Sequence, residues 1–178
     1  MKRCVTNTPA AGDLARAIER ALEALINSGD RLCVGLSGGV DSMALLDVLA
    51  TLAPRHQWRL SAMHVNHQLS PNASAWAAFC RRECRARGVP LRVVKVHVER
   101  GNSTEAAARA ARYEAYHSCR ADHVALAHNQ DDQAETLLLR LLRGAGVKGL
   151  GAMPQVRTDG DLHVVRPLLA ISRREIEV

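Results

Sequence analysis

The chain has 178 residues, of which 47% are hydrophobic, 24% are charged and only 3% are aromatic. This composition excludes collagen-like, intrinsically disordered and disulfide-scaffold proteins, and the length is sufficient for one domain with a full hydrophobic core. The net charge is +6, and the window 81–112, with nine basic and three acidic residues, accounts for all of it. That concentration of charge indicates either a polyanionic partner or a solvated, arginine-rich helix face.

The five cysteines show no spacing typical of a disulfide framework, which indicates reduced thiols. Residues 1–12 lack the apolar region of a secretory signal, and no apolar run approaches the ~18 residues that a membrane-spanning helix needs. We therefore expect a cytoplasmic protein with no membrane partner. The sequence leaves the oligomeric state open, with a homodimer as one option.

The hydrophobic periodicity predicts strands and helices in alternation. In chain order these are a helix over 13–26, a strand over 31–37, a helix over 43–52, a strand over 59–65, a helix from Pro71 to about 87, a strand over 91–98, a helix from an Asn102–Glu105 capping box to about 120, a strand over 123–127, a helix to 143, a fifth strand over 162–165 and a helix that Ser172 begins. This order predicts an α/β fold: a parallel sheet of about five strands with helices on both faces.

Polar clusters follow three of the predicted strands, at 37–42, 64–67 and 128–135. Because the carboxyl ends of parallel strands lie at one edge of a sheet, we expect these clusters to form a single active site. The leucine run 137–142 in the helix after the third cluster is predicted to be core.

The first cluster, Ser37-Gly38-Gly39-Val40-Asp41-Ser42, joins a strand to a helix. Two glycines allow the backbone to approach a ligand, and the free N–H groups of the helix favour an anion. A carboxylate beside a phosphate implies a divalent cation between them. The segment is therefore a predicted phosphate loop, and the alternative is an ordinary glycine-rich turn. The sequence contains no GxxxxGK[ST] motif, which excludes a P-loop kinase or GTPase.

Two further helices carry candidate functional side chains. Glu105, Arg109 and Arg112 share one helix face, so the carboxylate can hold an arginine while the guanidiniums contact a phosphate or a base. The alternative is a surface ion-pair ladder. His128 precedes a helix on which Asp131 and Glu135 lie on one face, and the alternative there is a structural histidine beside an exposed carboxylate.

Several segments together resemble a known family. Ser37–Ser42 matches the SGGxDS motif of the PP-loop ATP pyrophosphatases, and the tRNA(Ile)-lysidine synthase family within that group is similar over roughly residues 30–175. The segments that carry this second resemblance are His64-Val-Asn-His-Gln-Leu-Ser70, Glu105 to Tyr113, Leu126 to Thr136 with its continuation to Pro154, and Arg166-Pro-Leu-Leu169. Gln68 stands where that family has a glycine.

The resemblance implies an adenine-nucleotide α-hydrolase-like fold and a two-step reaction that uses ATP and Mg²⁺. ATP would adenylate the C2 carbonyl oxygen of the wobble cytidine in an isoleucine tRNA with a CAU anticodon. The ε-amine of free L-lysine would then displace AMP and form lysidine.

The resemblance also implies roles for individual residues. The catalytic candidates are Asp41, Arg109, Arg112, His128 and Glu135, with Asp41 as the Mg²⁺ ligand. The ATP-binding candidates are Ser37, Gly38, Gly39, Val40, Asp41, Ser42, Met63, His64 and Asn66, with the backbone of Met63 contacting adenine. The substrate or tRNA candidates are Glu105, Arg109, Arg112, Asp131, Asp132, Arg81, Arg82 and Arg85.

We expect one PP-loop catalytic domain over 1–178, with an N-terminal helix in 1–29, a core over 30–170 and the beginning of a truncated helix at 171–178. The family continues into tRNA-binding domains that this sequence lacks. Two alternatives stay open. A 2-thiocytidine synthase-like PP-loop enzyme would need paired CxxC motifs, and a nucleotide-binding module without chemistry would need only the phosphate loop.

Overall fold

The structure, a computed structural model, describes residues 11–96, 104–144 and 151–177. Six helices and six strands occur in this part of the chain. Their bounds are α1 (Ala11–Leu22), β1 (Arg31–Gly35), α2 (Val40–His56), β2 (Arg59–Asn66), α3 (Ala73–Ala86), β3 (Leu91–Lys95), α4 (Thr104–His117), β4 (His123–Ala125), α5 (Gln130–Leu142), β5 (Val156–Asp159), β6 (Leu162–Val165) and α6 (Arg173–Ile176). None of these helices is long and apolar enough to cross a membrane.

The strands form one sheet in the order β3-β2-β1-β4-β6-β5. Every neighbouring pair is parallel except β5 and β6, which are antiparallel. The α/β fold class with a parallel sheet is confirmed. The order of the strands reverses between β1 and β4, and in open α/β sheets such a switch point is where ligands bind.

The sheet has one strand more than the sequence predicted. β5 pairs with β6 through a two-residue turn at Gly160-Asp161, because Asp159 lies opposite Leu162. Gly160 has φ +61°, which a glycine adopts at little cost and which the tight hairpin turn requires. The strand was missed because Val-Arg-Thr-Asp is largely polar, and its exposed residues carry no apolar alternation.

Two hydrophobic clusters cover the two faces of the sheet. On one face α1, α2, α3 and α6 contribute residues such as Leu22, Leu46 and Ile176, all buried. On the other face α4 contributes Ala115 and Tyr116. In β1, Leu32 and Val34 belong to the first cluster and Cys33 to the second, which is the alternation of a strand buried on both faces.

Several element boundaries differ from those predicted. α2 continues past the predicted end at 52 to His56, with Pro54 inside its last turn and Gln57 in the left-handed conformation as its C-cap. α3 begins at Ala73 rather than at Pro71, and β4 ends at Ala125. The predicted end of β3 at 98, the Asn102 cap, and the glycines at 146 and 149 lie outside the described residues.

The prediction that the leucine run 137–142 is core is wrong. Helix α5 has no buried residue, and Leu142 is 85% exposed. Leu138, Leu139 and Leu141 are about half exposed as well. Apolar side chains on one helix show that a face can be buried, but whether another element covers that face is decided by tertiary packing.

Candidate active site

A cavity of about 350 Å³ lies where the carboxyl ends of β1, β2 and β4 meet. Three loops and helix α4 supply its walls, so the polar clusters that follow these strands do converge. The lining residues are Gly35, Leu36, Ser37, Gly39, Asp41, Ser42, His64, Val65, His67, Arg112, Tyr116, Leu126, Ala127, His128 and Asp132.

The predicted phosphate loop is held in shape by its own serines. The Oγ atoms of Ser37 and Ser42 lie 3.0 Å apart. The Gly38 N–H donates to the Ser42 Oγ at 3.2 Å, and the Gly39 N–H donates to the Ser37 Oγ at 3.2 Å. Gly39 is the N-cap of α2 and provides no side chain to cap the helix. The positive end of α2 therefore faces the cavity, where it can bind an anion.

Gly38 is the residue of this loop that only glycine can occupy without strain. Its φ is +91°, and a Cβ added there would lie 3.1 Å from the Trp76 ring and 3.3 Å from the Cys80 sulfur. Trp76 is half exposed and belongs to α3. The loop is thus fixed by packing against α3 as well as by its own hydrogen bonds.

Asp41 lies in the first turn of α2 and carries a carboxylate oxygen suited to a cation. Its Oδ1 is buried and has no hydrogen-bond partner in the part of the chain that the structure describes. Its Oδ2 lies 3.5 Å from Arg173 Nη2, which is also 3.9 Å from Asp132 Oδ1. An unpartnered carboxylate oxygen at the edge of a phosphate loop fits a Mg²⁺ ion, since this ion prefers oxygen ligands and usually binds through one or two carboxylates plus substrate phosphates.

Asp132 reaches the cavity because a capping box fixes the start of α5. The Asn129 Oδ1 accepts the N–H groups of Asp131 and Asp132 at 2.9 and 3.0 Å, and the Asn129 N–H donates to Asp132 Oδ2 at 2.9 Å. Asp131 instead accepts the Arg173 N–H at 3.3 Å, and neither Asp131 nor Glu135 lines the cavity. The structure therefore brings Asp132 to the site and leaves Glu135 exposed on α5.

His128 is a neutral side chain in a positively charged surrounding. Burial lowers the pKa of His128 to about 4, and the neighbouring charges of Arg166, Arg109 and Arg112 contribute in the same direction. The charge of Asp132 acts in the opposite direction. The His128 Nδ1 is buried without a hydrogen-bond partner among the described residues. At neutral pH the imidazole can therefore accept or donate a hydrogen bond to a ligand without adding charge.

Two more histidines line the cavity at the end of β2. The Nδ1 of His64 lies 2.8 Å from the Leu36 carbonyl oxygen, so this nitrogen carries the proton. Nη2 of Arg112 lies 3.5 Å from His67 Nε2. Burial lowers the pKa of His67, and the charge of Arg112 lowers it further. Arg112 therefore contacts His67 and lines the same cavity as the phosphate loop.

A second cavity of about 440 Å³ adjoins the first beyond His64 and Val65. Trp76 lines it, as do Asn66 and the loop that follows. Asn66 is buried, and its side chain bonds the Ala73 carbonyl and the Gln68 N–H. The carbonyl of Met63, predicted to contact adenine, accepts the Leu36 N–H at 2.8 Å within the sheet. His64 and Val65 are the β2 residues that line both cavities.

The remaining predicted residues lie away from the cavity wall. Arg109 is exposed on α4, one turn before Arg112. The side chain of Glu105, in the same helix, lies outside the described residues. Arg81, Arg82 and Arg85 are exposed on α3 and line neither cavity. Arg82 lies over the Phe79 ring, with 5.1 Å between its Cζ and the ring centroid.

Three residues of the site had no role assigned from the sequence, although His67 lies in the polar cluster 64–67 that was expected there. Tyr116 lies beside Gly35, where a Cβ would come within 2.5 Å of the Tyr116 hydroxyl, and His67 and Arg173 contact predicted residues. A signal existed for Tyr116, which is buried one turn after Arg112 on the same helix face. The paired cysteines that a thiolase would need are not at this site. Of the cysteines that the structure describes, none lines the cavity, and Cys80 and Cys84 are buried within α3.

The sequence of this chain is similar to those of known proteins. The family model of the PP-loop domain matches residues 12–178. The chain is 46% identical over 169 residues to the tRNA(Ile)-lysidine synthase of Nitrosomonas europaea, with 92% of this chain covered and 37% of the relative. It is 54% identical over 149 residues to the tRNA(Ile)-lysidine synthase of Chromobacterium violaceum, with 81% and 34% covered. The chain thus spans about a third of the length of these relatives.

Two solved structures share the fold. The U34-tRNA thiolase NcsA from Methanococcus maripaludis, solved with its [4Fe-4S] cluster, superposes with a TM-score of 0.78 at 18% identity, covering 93% of this chain and 61% of that one. A glutamine-dependent NAD+ synthetase from Acinetobacter baumannii, in complex with ADP, gives a TM-score of 0.58 at 16% identity, covering 97% and 33%. At these identities the likeness concerns the fold alone.

Proposed function

The chain belongs to the PP-loop domain family, and from this premise we propose that it is the catalytic domain of a tRNA(Ile)-lysidine synthase. Membership of the family implies that it uses ATP. The reaction would adenylate the wobble cytidine of an isoleucine tRNA with a CAU anticodon and then join free L-lysine to that base. Reduced thiols and a tRNA substrate favour a cytoplasmic location.

One observation carries this proposal. The phosphate loop, Arg112, His128 and Asp132 line a single cavity at the switch point of the sheet. These residues come from three separate segments of the chain, and together they supply an anion site, a cation site and a neutral imidazole. Relatives at 46% and 54% identity that carry the lysidine synthase name cover 92% and 81% of this chain, which supports the specific reaction.

The nucleotide would bind across the two adjoining cavities. The triphosphate would lie against the free N–H groups of the first turn of α2 and the hydroxyls of Ser37 and Ser42, with Arg112 opposite. The base would enter the second cavity, where Val65 and Asn66 end β2 and the Trp76 ring offers an apolar face. Asp41, with Asp132 as a second oxygen ligand, would hold Mg²⁺, which neutralises charge on the phosphates when it is bound.

In the first step the C2 carbonyl oxygen of cytidine forms a bond to the α-phosphorus and pyrophosphate leaves. Negative charge develops on the departing oxygen, and the N–H groups at the start of α2 and Arg112 would stabilise it. In the second step the lysine ε-nitrogen forms a bond to C2, AMP leaves, and the amine loses a proton. Neutral His128 lines the cavity, and its Nδ1 has no hydrogen-bond partner among the described residues, so it is our candidate to accept that proton.

Pyrophosphate exchange tests the proposal. The protein is incubated with ATP, Mg²⁺, labelled pyrophosphate and an unmodified isoleucine tRNA bearing CAU, without lysine. Label should enter ATP only when this tRNA is present. The same tRNA with uridine in place of the wobble cytidine is the matched control and should give no exchange.

Addition of labelled lysine should then transfer label to the CAU tRNA with release of AMP. Exchange that does not depend on tRNA would instead indicate an enzyme that adenylates a small molecule. ATP binding without any exchange would indicate a nucleotide-binding module, and absence of ATP binding would contradict the assignment of the phosphate loop.

A further inference from the structure

A cluster of arginines surrounds Tyr113, where α4 and the β5–β6 hairpin meet. The Cζ atom of Arg109 lies 5.4 Å from the Tyr113 ring centroid, and that of Arg157 lies 5.2 Å from it. The Arg166 Nη2 donates to the Tyr113 hydroxyl at 3.3 Å. Three cationic side chains from α4, β5 and the segment after β6 therefore meet at one aromatic ring.

Arg166 is an unusual member because it is 2% exposed. Its Nη1 donates to the Pro154 carbonyl at 2.7 Å, whereas its Nε is buried without a hydrogen-bond partner among the described residues. Burial lowers the pKa of Arg166, and the charges of Arg109 and Arg157 lower it further. A buried cation is costly unless negative charge compensates it.

Among the side chains that the structure describes, Asp159 is the carboxylate that pairs with a member of this cluster. Within residues 11–96, 104–144 and 151–177, no carboxylate forms an ion pair with Arg166. Arg157 has Asp159 at 3.8 Å, but that carboxylate is also 3.4 Å from His117. The cluster therefore leaves positive potential at the surface, and this potential is suited to a bound anion.

The geometry leaves the guanidiniums free to bind such an anion. When a guanidinium stacks on an aromatic ring, its flat face contacts the ring. Its N–H groups then point outward in the plane of the guanidinium. Arg109 and Arg157 are both exposed, and both lie over the Tyr113 ring. Two exposed guanidiniums held at one ring offer N–H donors whose chemistry fits a phosphate group.

We propose that Arg109 and Arg157 bind the phosphodiester backbone of the substrate RNA next to the nucleotide that enters the cavity. Tyr113 and Arg166 are positioning residues: the Tyr113 ring contacts both guanidiniums, and Arg166 bonds the Tyr113 hydroxyl and supplies buried positive charge. This inference rests on the proposed function, because it assumes an RNA substrate. It adds the β5–β6 hairpin, which the sequence did not predict, to the RNA-binding surface.

Position favours RNA backbone over the nucleotide as the source of the phosphate. Arg109, Arg157 and Arg166 do not line the cavity that holds the phosphate loop. They nevertheless lie close enough for the charges of Arg166 and Arg109 to act on His128, which does line it. An RNA base inserted into the cavity would leave its own backbone at the rim, where the cluster lies.

RNA binding by Arg157 variants tests the proposal, with a labelled anticodon stem–loop carrying CAU as the probe. Arg157→Ala should weaken binding about tenfold and lower the slope of log affinity against log salt by about 0.7 for one lost contact to unpaired RNA. Arg157→Lys keeps the charge but not the stacked fork and should recover part of the loss. Tyr113→Phe should weaken binding without changing the salt slope, because it removes no charge.

Arg59→Glu is the matched control, since Arg59 is exposed at the opposite end of β2. It should leave RNA affinity within about twofold of the native value, because surface charges beyond a Debye length are largely screened. Equal affinity for Arg157→Ala and the native protein would overturn the proposal, as would an equal loss in Arg59→Glu. Weaker ATP or pyrophosphate binding in Arg157→Ala, with RNA binding unchanged, would assign the site to the nucleotide.

Failure of this inference is distinguishable from failure of the proposed function. If RNA binding depends on Arg157 but the protein shows no pyrophosphate exchange, the RNA-binding role of the cluster stands and the lysidine reaction is contradicted. If Arg157→Ala shows exchange and full RNA affinity, the reaction stands and the role of the cluster is contradicted. Absence of RNA binding by the native chain would overturn both.

Discussion

At the scale of single residues, Asp41 is the side chain whose chemistry is most restricted by its position. It lies at the first turn of α2, where a carboxylate interacts well with the helix dipole, and one of its oxygens is buried without a described partner. An amide of the same size would keep the shape but lose the charge that a divalent cation requires.

We therefore predict that Asp41→Asn abolishes Mg²⁺-dependent pyrophosphate release and leaves the fold intact. Circular dichroism checks the fold, and pyrophosphate release at varied Mg²⁺ checks the activity. Asp47→Asn is the control, since Asp47 lies on the same helix outside this cavity and is exposed. Native activity in Asp41→Asn would remove Asp41 from the reaction.

His128 should make stability depend on pH. Its pKa is lowered from an ordinary 6.5 to about 4 in the folded protein, so the unfolded chain binds the extra proton between these two values. The protonation of His128 therefore leaves the free energy of unfolding unchanged above pH 6.5 and decreases it as the pH falls toward 4. Because the side chain is partly exposed, we expect a loss of about 2 kcal/mol over this window rather than the full value of the shift.

Urea unfolding at pH 4.5 and pH 7 measures this effect. His128→Gln should remove the corresponding part of the pH dependence, whereas His117→Gln, on the exposed side of α4, should retain the native dependence. If the stability of His128→Gln depends on pH as strongly as that of the native protein, His128 is not the titrating group.

At the scale of elements, a comparison of two glycines separates backbone strain from the steric cost of an added Cβ. Gly38 and Gly29 have similar backbone conformations, with φ +91° and +88°, but a Cβ at Gly29 would meet nothing within 4 Å. Both alanine variants should therefore lose about 1–2 kcal/mol of unfolding free energy through backbone strain. Only in Gly38→Ala does the added Cβ also press against the Trp76 ring and displace the loop.

We predict that Gly38→Ala weakens ATP binding at least tenfold, as measured by titration calorimetry, whereas Gly29→Ala binds ATP normally. One lost charge-assisted N–H contact to phosphate is sufficient for a change of this size, about 1.4 kcal/mol. Equal ATP affinity in the two variants would mean that the loop tolerates the displacement or does not bind the nucleotide.

Helix α5 provides a second test at this scale. Leu142→Gln should change the free energy of unfolding by less than about 0.5 kcal/mol, because the side chain is 85% exposed. Leu46→Ala in the core should cost about 2–5 kcal/mol, because that side chain is fully buried. Denaturant unfolding of the two variants makes the comparison, and a large loss in Leu142→Gln would show that its face of α5 is covered.

At the scale of the whole molecule, the basic surface of α3 is the remaining candidate for RNA binding. Arg81, Arg82 and Arg85 are exposed, and their helix begins beside the second cavity with Trp76. Reversal of all three charges to glutamate should weaken tRNA binding by at least tenfold at low salt and reduce its salt dependence. ATP affinity should not change, because these residues line neither cavity.

The matched control is a triple variant with Arg16→Glu, Arg20→Glu and Arg55→Glu. It makes the same change of net charge, but on α1 and α2. If both triple variants lose tRNA affinity equally, the effect is one of total charge, and α3 is only a solvated face. Filter binding across a series of salt concentrations separates the two results.

Much of the fold could be predicted from local pattern. The alternation of strands and helices, the phosphate loop and the capping position Ser172 all depend on residues close in sequence, so periodicity and turn chemistry determine them. The convergence of Ser37–Ser42, His64–His67 and His128 also follows, because parallel strands have their carboxyl ends at one edge.

The tertiary structure alone decided which side chains reach the cavity and which faces are covered. Asp132 lines the cavity while Asp131 and Glu135 do not, because packing and the Asn129 cap fix the rotation of α5 about its axis. The burial of Arg166, the edge strand β5 and the exposed leucines of α5 depend on partners distant in sequence. A local pattern shows which face of an element is apolar, but long-range contacts determine what lies against that face.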